Sequence, residues 1–166
     1  MAPRHRFMLA APVQRRVVAA DPAARPPTLG DADALGALLL EAYRGTPDDE
    51  GETLEEACRT AREIFAGAAG TPMWAVSEVT EREGRLVSAV VVTLWQDLPL
   101  VAQMVTAPAW QRRGLGRAGL LRCINRLAAG DETVVRLVVT QGNTRAEALY
   151  ESLGFRPEAR PPFSSA

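Results

Sequence analysis

With 166 residues, 47% of them hydrophobic and 23% charged, the chain is long enough to bury a core of its own and too apolar for wholesale disorder. A formal net charge of -1 provides no overall field for recruiting nucleic acid, so charge has to act through local clusters. Two cysteines and one histidine, Cys58, Cys123 and His5, are too few for a cysteine-rich zinc site, and both cysteines are expected as free thiols in a cytoplasmic setting. No run reaches the roughly 18 consecutive apolar residues of a membrane span, and the apolar residues 7–11 are too few for a signal peptide.

Taken in order, residues 1–12 carry two prolines and no periodicity and read as a mobile lead-in to a single domain over 13–156. Residues 13–20 suit a first strand. Prolines 22, 26 and 27 then hold the chain out of a helix until Asp31, an N-cap for a helix with Leu35, Leu38, Leu39, Ala42 and Tyr43 on one face. Thr53 and Glu56 form a capping box for a second helix, whose stripe is Ala57, Ala61, Ile64 and Phe65. Six carboxylates fall within residues 48–56. They read either as an acidic loop with favourable charges at a helix N-terminus, or as a negative rim that attracts a cationic amine.

From Met73 the pattern turns to strands. Residues 74–80 and 85–95 flank a turn at 81–84 and form an antiparallel hairpin, and the apolar residues 100–106 suit a strand buried on both faces. Between that strand and a helix marked by Leu120, Ile124 and Leu127 lies Gln111-Arg112-Arg113-Gly114-Leu115-Gly116-Arg117. Its glycines permit close backbone approach and its three arginines put positive charge at a helix entrance, a combination suited to a diphosphate; read by itself, the G-x-G is equally a tight strand-to-helix turn. Residues 134–140 read as another strand, and Thr144 with Glu147 as a capping box for a last helix ending near Leu153 and Gly154. The tail over 157–166 holds three prolines and cannot make a long final strand, so a sheet edge is left for a second subunit to cover as a homodimer.

Strand, glycine turn, helix, strand and helix make a β-α-β-α unit beside the hairpin. The fold class is therefore α/β, with a mixed sheet flanked by about four helices. Residues 104–119, Met-Val-Thr-Ala-Pro-Ala-Trp-Gln-Arg-Arg-Gly-Leu-Gly-Arg-Ala-Gly, resemble the signature of the GNAT superfamily of acyl-CoA-dependent N-acyltransferases. Residues 142–155, Gly-Asn-Thr-Arg-Ala-Glu-Ala-Leu-Tyr-Glu-Ser-Leu-Gly-Phe, are similar to its second conserved segment. The close match spans roughly 98–156, and the order of one strand, two helices and a hairpin before it is the superfamily's usual arrangement.

The resemblance implies acetyl-CoA as co-substrate, no metal, and direct transfer of an acetyl group to a primary amine of a small molecule or peptide. It implies that backbone groups of Met104, Val105 and Thr106 pair with the pantetheine arm and polarise the thioester. The amides of Arg112, Arg113, Gly114, Leu115, Gly116 and Arg117 would wrap the pyrophosphate. Asn143 would touch the cofactor near its sulfur, and Tyr150 would protonate the departing thiolate. Read as residues alone, Asn143 is equally a turn or cap residue, and Tyr150 falls with Ala146, Leu149 and Leu153 on a helix face that is usually core. The branch that acetylates ribosomal-protein N-termini carries a glutamate five residues before the asparagine, where this chain has Val138. Asp97, Glu78 and Glu41 remain as candidates for the base. The alternative to an enzyme is a non-catalytic acyl-CoA sensor or partner module of the same fold.

Overall fold

A computed structural model of the chain describes residues 6–158, apart from the side chain of Phe7. Its strands form a sheet in the order β2-β4-β5-β6-β7-β1-β8, with β3 attached to β5. The strands are β1 (Arg6–Pro12), β2 (Ala24–Arg25), β3 (Thr71–Pro72), β4 (Glu78–Arg82), β5 (Arg85–Trp95), β6 (Leu98–Thr106), β7 (Val134–Thr140) and β8 (Arg156–Pro157). Every pairing is antiparallel except β6 with β7. The expected mixed sheet with a parallel pair and four helices is therefore present.

The helices are α1 (Ala32–Tyr43), α2 (Leu54–Phe65), α3 (Leu115–Ala129) and α4 (Thr144–Ser152). Alternation along the central strands distributes them on both faces of the sheet. Val90 and Val92 of β5 face a core with Leu120, Ile124 and Leu127 of α3 and with Tyr150, Leu153 and Phe155 at α4. Ala89 and Val91 face a second core with Leu35, Leu38 and Leu39 of α1 and Ala61, Ile64 and Phe65 of α2. A strand covered on both faces reads as a continuous apolar run, which is why residues 86–92 show no alternation. Gly36 lets the two helices of the second face close up, since a Cβ there would lie 2.4 Å from the Cys58 Cα.

Two expectations need correction. The first strand is Arg6–Pro12, inside the segment read as lead-in, whereas residues 13–20 form no strand. Those residues instead run along α3 and α4 as a strap: Asn125 exchanges hydrogen bonds with the Arg16 backbone at 2.9 and 2.8 Å, and the Arg16 guanidinium donates to Leu153 O at 3.0 Å. Local β propensity loses because residues 6–12, which place Leu9 and Ala11 in the core, already occupy the edge of β7. The same strand covers β7, and the chain beyond α4 adds only the two-residue β8 to its outer side. Finally, the cap of α4 is Asn143 rather than Thr144. Asn143 Oδ1 accepts the Ala146 amide at 3.3 Å, and Glu147 reaches back to the Gly142 amide at 3.2 Å. Residues 1–5 of the lead-in and 159–166 of the tail lie outside the described residues.

Candidate active site

Strands β6 and β7 pair only at Leu100↔Arg136 and Val101↔Leu137. At that point β6 carries a bulge: Val91 of β5 pairs with Gln103 and Val92 with Val101, leaving Ala102 as the extra residue. Residues 103–106 continue along β5 while β7 leaves them, and a cleft opens between the two strands. The Ala107 amide donates to Val87 O at 2.8 Å, so residues 103, 105 and 107 turn their backbone groups toward β5, and Met104 and Thr106 turn theirs into the cleft. Val105 pairs with Ala89 and sends a 4% exposed side chain into the core, so only two of the three expected strand residues offer backbone groups to a ligand.

Past the end of β6 the chain turns into α3. Gly114 sits at φ 77°, the left-handed region that glycine enters without strain, and the helix begins at Leu115. The first amides of α3 have no intrahelical acceptor, and they point at the cleft mouth with the positive end of the helix dipole. Gly116 has a separate reason. A Cβ there would lie 3.1 Å from Met104 Cε and 3.2 Å from Thr106 Oγ1, so glycine lets the helix start sit on the strand end without displacing these side chains. Arg112, Arg113 and Arg117 are exposed around this turn. Arg113 stacks over Trp110 at 4.6 Å, and Arg117 donates to Ser152 Oγ at 2.9 Å. Gln111 ties the turn to both neighbours, donating to Thr106 O at 3.0 Å and accepting from Arg145 at 2.9 Å.

Two cavities occupy the cleft. One, of about 450 Å³, is lined by the glycine turn, Met104 and Thr106 of β6, and Asn143, Arg145 and Leu149. The other, of about 410 Å³, is lined from β7 and β6 by Val138, Thr140 and Gln103, from α2 by Ala57 and Thr60, and by Arg6 and the acidic loop. Tyr43, Asp48, Met104, Asn143, Ala146 and Tyr150 line both, so the cavities meet at these six residues. Both tyrosines of the chain stand at this junction. Tyr43 donates to Gln103 Oε1 at 2.6 Å, whereas the Tyr150 hydroxyl has no hydrogen-bond partner among the described residues. Burial first and the Asp48 charge second push Tyr150 up to about 12, and the same causes raise Tyr43 further. Both phenols are therefore protonated donors across the physiological range.

The structure thus brings Tyr150, Asn143, Met104, Val105, Thr106 and the glycine turn to one cleft, with the Val105 backbone paired to β5. The three carboxylates considered as bases are elsewhere. Glu78 is 2% exposed and held by Arg122 Nε and Nη2 and by Arg126 Nη2 at 2.6 to 3.1 Å. Breaking such a buried cluster typically costs about 3–5 kcal/mol, which marks it as structural. Glu41 accepts from Arg85 at 2.9 Å, and Asp97 sits at φ 60° in the two-residue β5–β6 turn, at the far end of β6. None of the three lines either cavity.

Sequence reasoning missed Tyr43 and Gln103, and it left Asp48 undistinguished within the acidic run. The run divides between its two readings. Asp49 folds back onto the Gly45 and Gly51 amides at 2.7 and 2.9 Å, and Glu56 completes the capping box with the Thr53 amide at 2.8 Å. Asp48, Glu50 and Glu52 line the second cavity. No local signal separates these sets, because the division depends on which way a loop faces after folding.

The model of the Acetyltransferase (GNAT) family matches residues 33–155. A mycothiol acetyltransferase of Beutenbergia cavernae is 32% identical over 128 residues, 74% of this chain and 40% of that protein. The ribosomal protein bS18-alanine N-acetyltransferase of Escherichia coli K12 is 34% identical over 74 residues, 45% of this chain and 50% of its own length. The chain thus spans half or less of these relatives. Among solved structures, a GCN5-related N-acetyltransferase from Sphaerobacter thermophilus has a TM-score of 0.71 at 18% identity, covering 93% of this chain and 49% of that one. The PaiA N-acetyltransferase from Thermoplasma acidophilum, solved with coenzyme A, has a TM-score of 0.66 at 14% identity over 84% of this chain and 92% of that one. A family match across most of the chain, together with the glycine turn, the divergent β6–β7 pair and the asparagine-capped α4, establishes that the chain belongs to the acetyltransferase (GNAT) family.

Proposed function

We propose that this domain moves an acetyl group from acetyl-CoA to a primary amine of a small molecule or peptide, by direct transfer and without a covalent enzyme intermediate. The observation that carries this reading is the meeting of two cavities at Tyr150, one walled by the glycine turn and one by carboxylates. The first suits the donor. Its free helix amides, the left-handed Gly114, the close contact at Gly116 and the exposed Arg112, Arg113 and Arg117 fit a diphosphate, and the backbone groups of Met104 and Thr106 fit an extended amide-bearing arm. Acetyl-CoA supplies an activated acyl group as a thioester.

The residues of the junction would do the rest. The β6 backbone at Met104 would hold the carbonyl end of the arm, and Asn143, fixed by its cap bond, would limit how far the arm enters. Tyr150 would offer its hydrogen to sulfur as the carbon–sulfur bond breaks, its hydroxyl being protonated and unclaimed. The second cavity would receive the amine among Asp48, Glu50 and Glu52. The bS18-alanine relatives act on a protein alanine, but Val138 lines this cavity at the position of that branch's glutamate, so an acceptor and a base cannot be carried over from them. Both cysteines are free, which supports a cytoplasmic setting.

The experiment is release of CoA, followed with a thiol reagent, across alkylamines, polyamines and peptides with free amino termini. Turnover that requires an amine and yields its acetylated product is the expected result. Binding of acetyl-CoA with no amine acetylated would leave a sensor of the same fold and end the enzymatic reading.

A further inference from the structure

We propose that Asp48 receives the acceptor's ammonium group and takes the proton that the nitrogen must lose before it can attack, a role that rests on the amine-acetylation reading above. Asp48 lies on the loop between α1 and α2 and is the one carboxylate, among the described residues, that lines both cavities. Its orientation is fixed from the opposite wall. Thr140 Oγ1 donates to Oδ1 at 2.5 Å, and Asn143 Nδ2 donates to Oδ2 at 3.3 Å. An ionised carboxylate has about four acceptor positions, so these bonds leave room for the N–H of a ligand. The other two carboxylates of the acceptor cavity are engaged within the loop and with β1: Glu50 pairs with Arg6 at 3.4 Å, and Glu52 accepts the Glu50 amide at 3.0 Å.

The partners around Asp48 suit this use. Tyr43 from α1 and Tyr150 from α4 face it, both protonated, along with Arg6 from β1 and Glu50 and Glu52 of its own loop. No lysine or arginine forms a salt bridge with Asp48 among the described residues, so its negative charge is available to an incoming cation. A bare ammonium beside a carboxylate is favourable in water. When two substrates fill the cavities and water leaves, burial disfavours both charges, and moving one proton from nitrogen to oxygen removes both at once. The freed amine stands at the junction with Tyr150.

The balance closes. The nitrogen forms a bond to the acyl carbon, the carbon–sulfur bond breaks, and its electron pair leaves on sulfur. Nitrogen gives up two protons in all: the first goes to Asp48 and from there to water, and the second replaces the hydrogen that Tyr150 hands to sulfur. Ammonium and thioester become amide, thiol and one released proton.

The test compares two nearly isosteric acceptors, 2-phenylethylamine, protonated at working pH, and its 2,2-difluoro analogue, in which the fluorines leave the nitrogen largely uncharged. Asp48→Asn should lower kcat for the protonated amine at least 100-fold and for the neutral amine less than five-fold, with acetyl-CoA affinity and thermal midpoint unchanged. A readout independent of turnover is calorimetric binding of each amine to the CoA-loaded protein, where the same variant should weaken only the protonated amine, about ten-fold. Equal losses on both amines, a loss confined to KM, or no loss would overturn the assignment. Should the asparagine variant not fold, Asp48→Glu carries the same comparison, with a smaller loss again confined to the protonated amine. If the wild type acetylates no amine at all, the enzymatic reading itself fails. If it acetylates amines and the variants are indifferent, only the role of Asp48 falls.

Discussion

The two cavities differ in how they are made. The donor side is built mainly from two contiguous segments, residues 104–117 and 143–150, closed by Ala42, Tyr43, Thr46 and Asp48, and much of what it offers is backbone: open-edge groups of β6, orphan amides of α3 and the cap of α4. The acceptor side combines scattered side chains from β1, α1, the α1–α2 loop, α2 and α4 with residues 101–104 of β6 and 137–140 of β7. A backbone site can be changed only by changing the turn that shapes it, whereas a site of scattered side chains can be altered one residue at a time without disturbing the fold. The same scaffold can therefore keep its donor and vary its acceptor.

Tyr150 belongs to both sides, and its removal is the largest break in the comparison. Tyr150→Phe should lower kcat by about 100-fold or more, the usual range for loss of a positioned proton donor, with acetyl-CoA affinity unchanged by calorimetry. The pH dependence follows from the same residue. Its pKa is raised to about 12, chiefly by burial, so the proton needed by the leaving group is retained below that value and lost above it. For an acceptor that is already uncharged, such as the difluoro amine, the rate should stay level between pH 8 and 10, with no falling limb. A limb with a midpoint near 9 that Tyr150→Phe abolishes would show that the hydroxyl ionises far too early for this role.

Gly116 tests the donor side by itself. Since even a Cβ there meets the Met104 and Thr106 side chains at 3.1 and 3.2 Å, the larger Gly116→Val crowds the cleft wall where the start of α3 meets the end of β6. Acetyl-CoA affinity should fall about ten-fold, equivalent to roughly 1.4 kcal/mol, while KM for the amine moves little. Equal effects on both substrates would mean that the two cavities are less separate than their construction suggests.

The same contrast accounts for what could be read from the sequence. The glycine-turn wall of the cleft was legible because glycines, arginines and a capped tyrosine helix lie at fixed spacings along two short stretches of chain. Strand β7 and helices α2 and α3 were legible because periodicity, capping residues and glycine stops are local. The acceptor site was not, because Tyr43, Asp48 and Gln103 are 60 residues or fewer apart in sequence yet meet only once α1 lies on the sheet. Strand β1 was missed for a related reason. Residues 13–20 carry more β-branched side chains than residues 6–12, and only the competition for the β7 edge decides between them. Asp97, Glu78 and Glu41 were plausible bases until burial and ion pairing were known, and neither property has a local signature.

The acidic loop gives the smallest effect and the finest test of the acceptor side. Glu50 and Glu52 line the cavity but sit near its solvent side, Glu50 in a 3.4 Å ion pair whose partners are both more than half exposed. Exposed charges act through a field that salt screens, with a Debye length of about 10 Å at 0.1 M, and such pairs contribute ~0–1 kcal/mol. Glu50→Gln combined with Glu52→Gln should therefore raise KM for a cationic acceptor about two- to three-fold at low salt, with kcat unchanged and the difference gone near 0.5 M salt. Neutral acceptors should show no change at any salt concentration. If the double variant behaves as the wild type at low salt, the loop carries its charge for the sake of the α2 N-terminus alone, and recognition of the amine rests on residues at the junction.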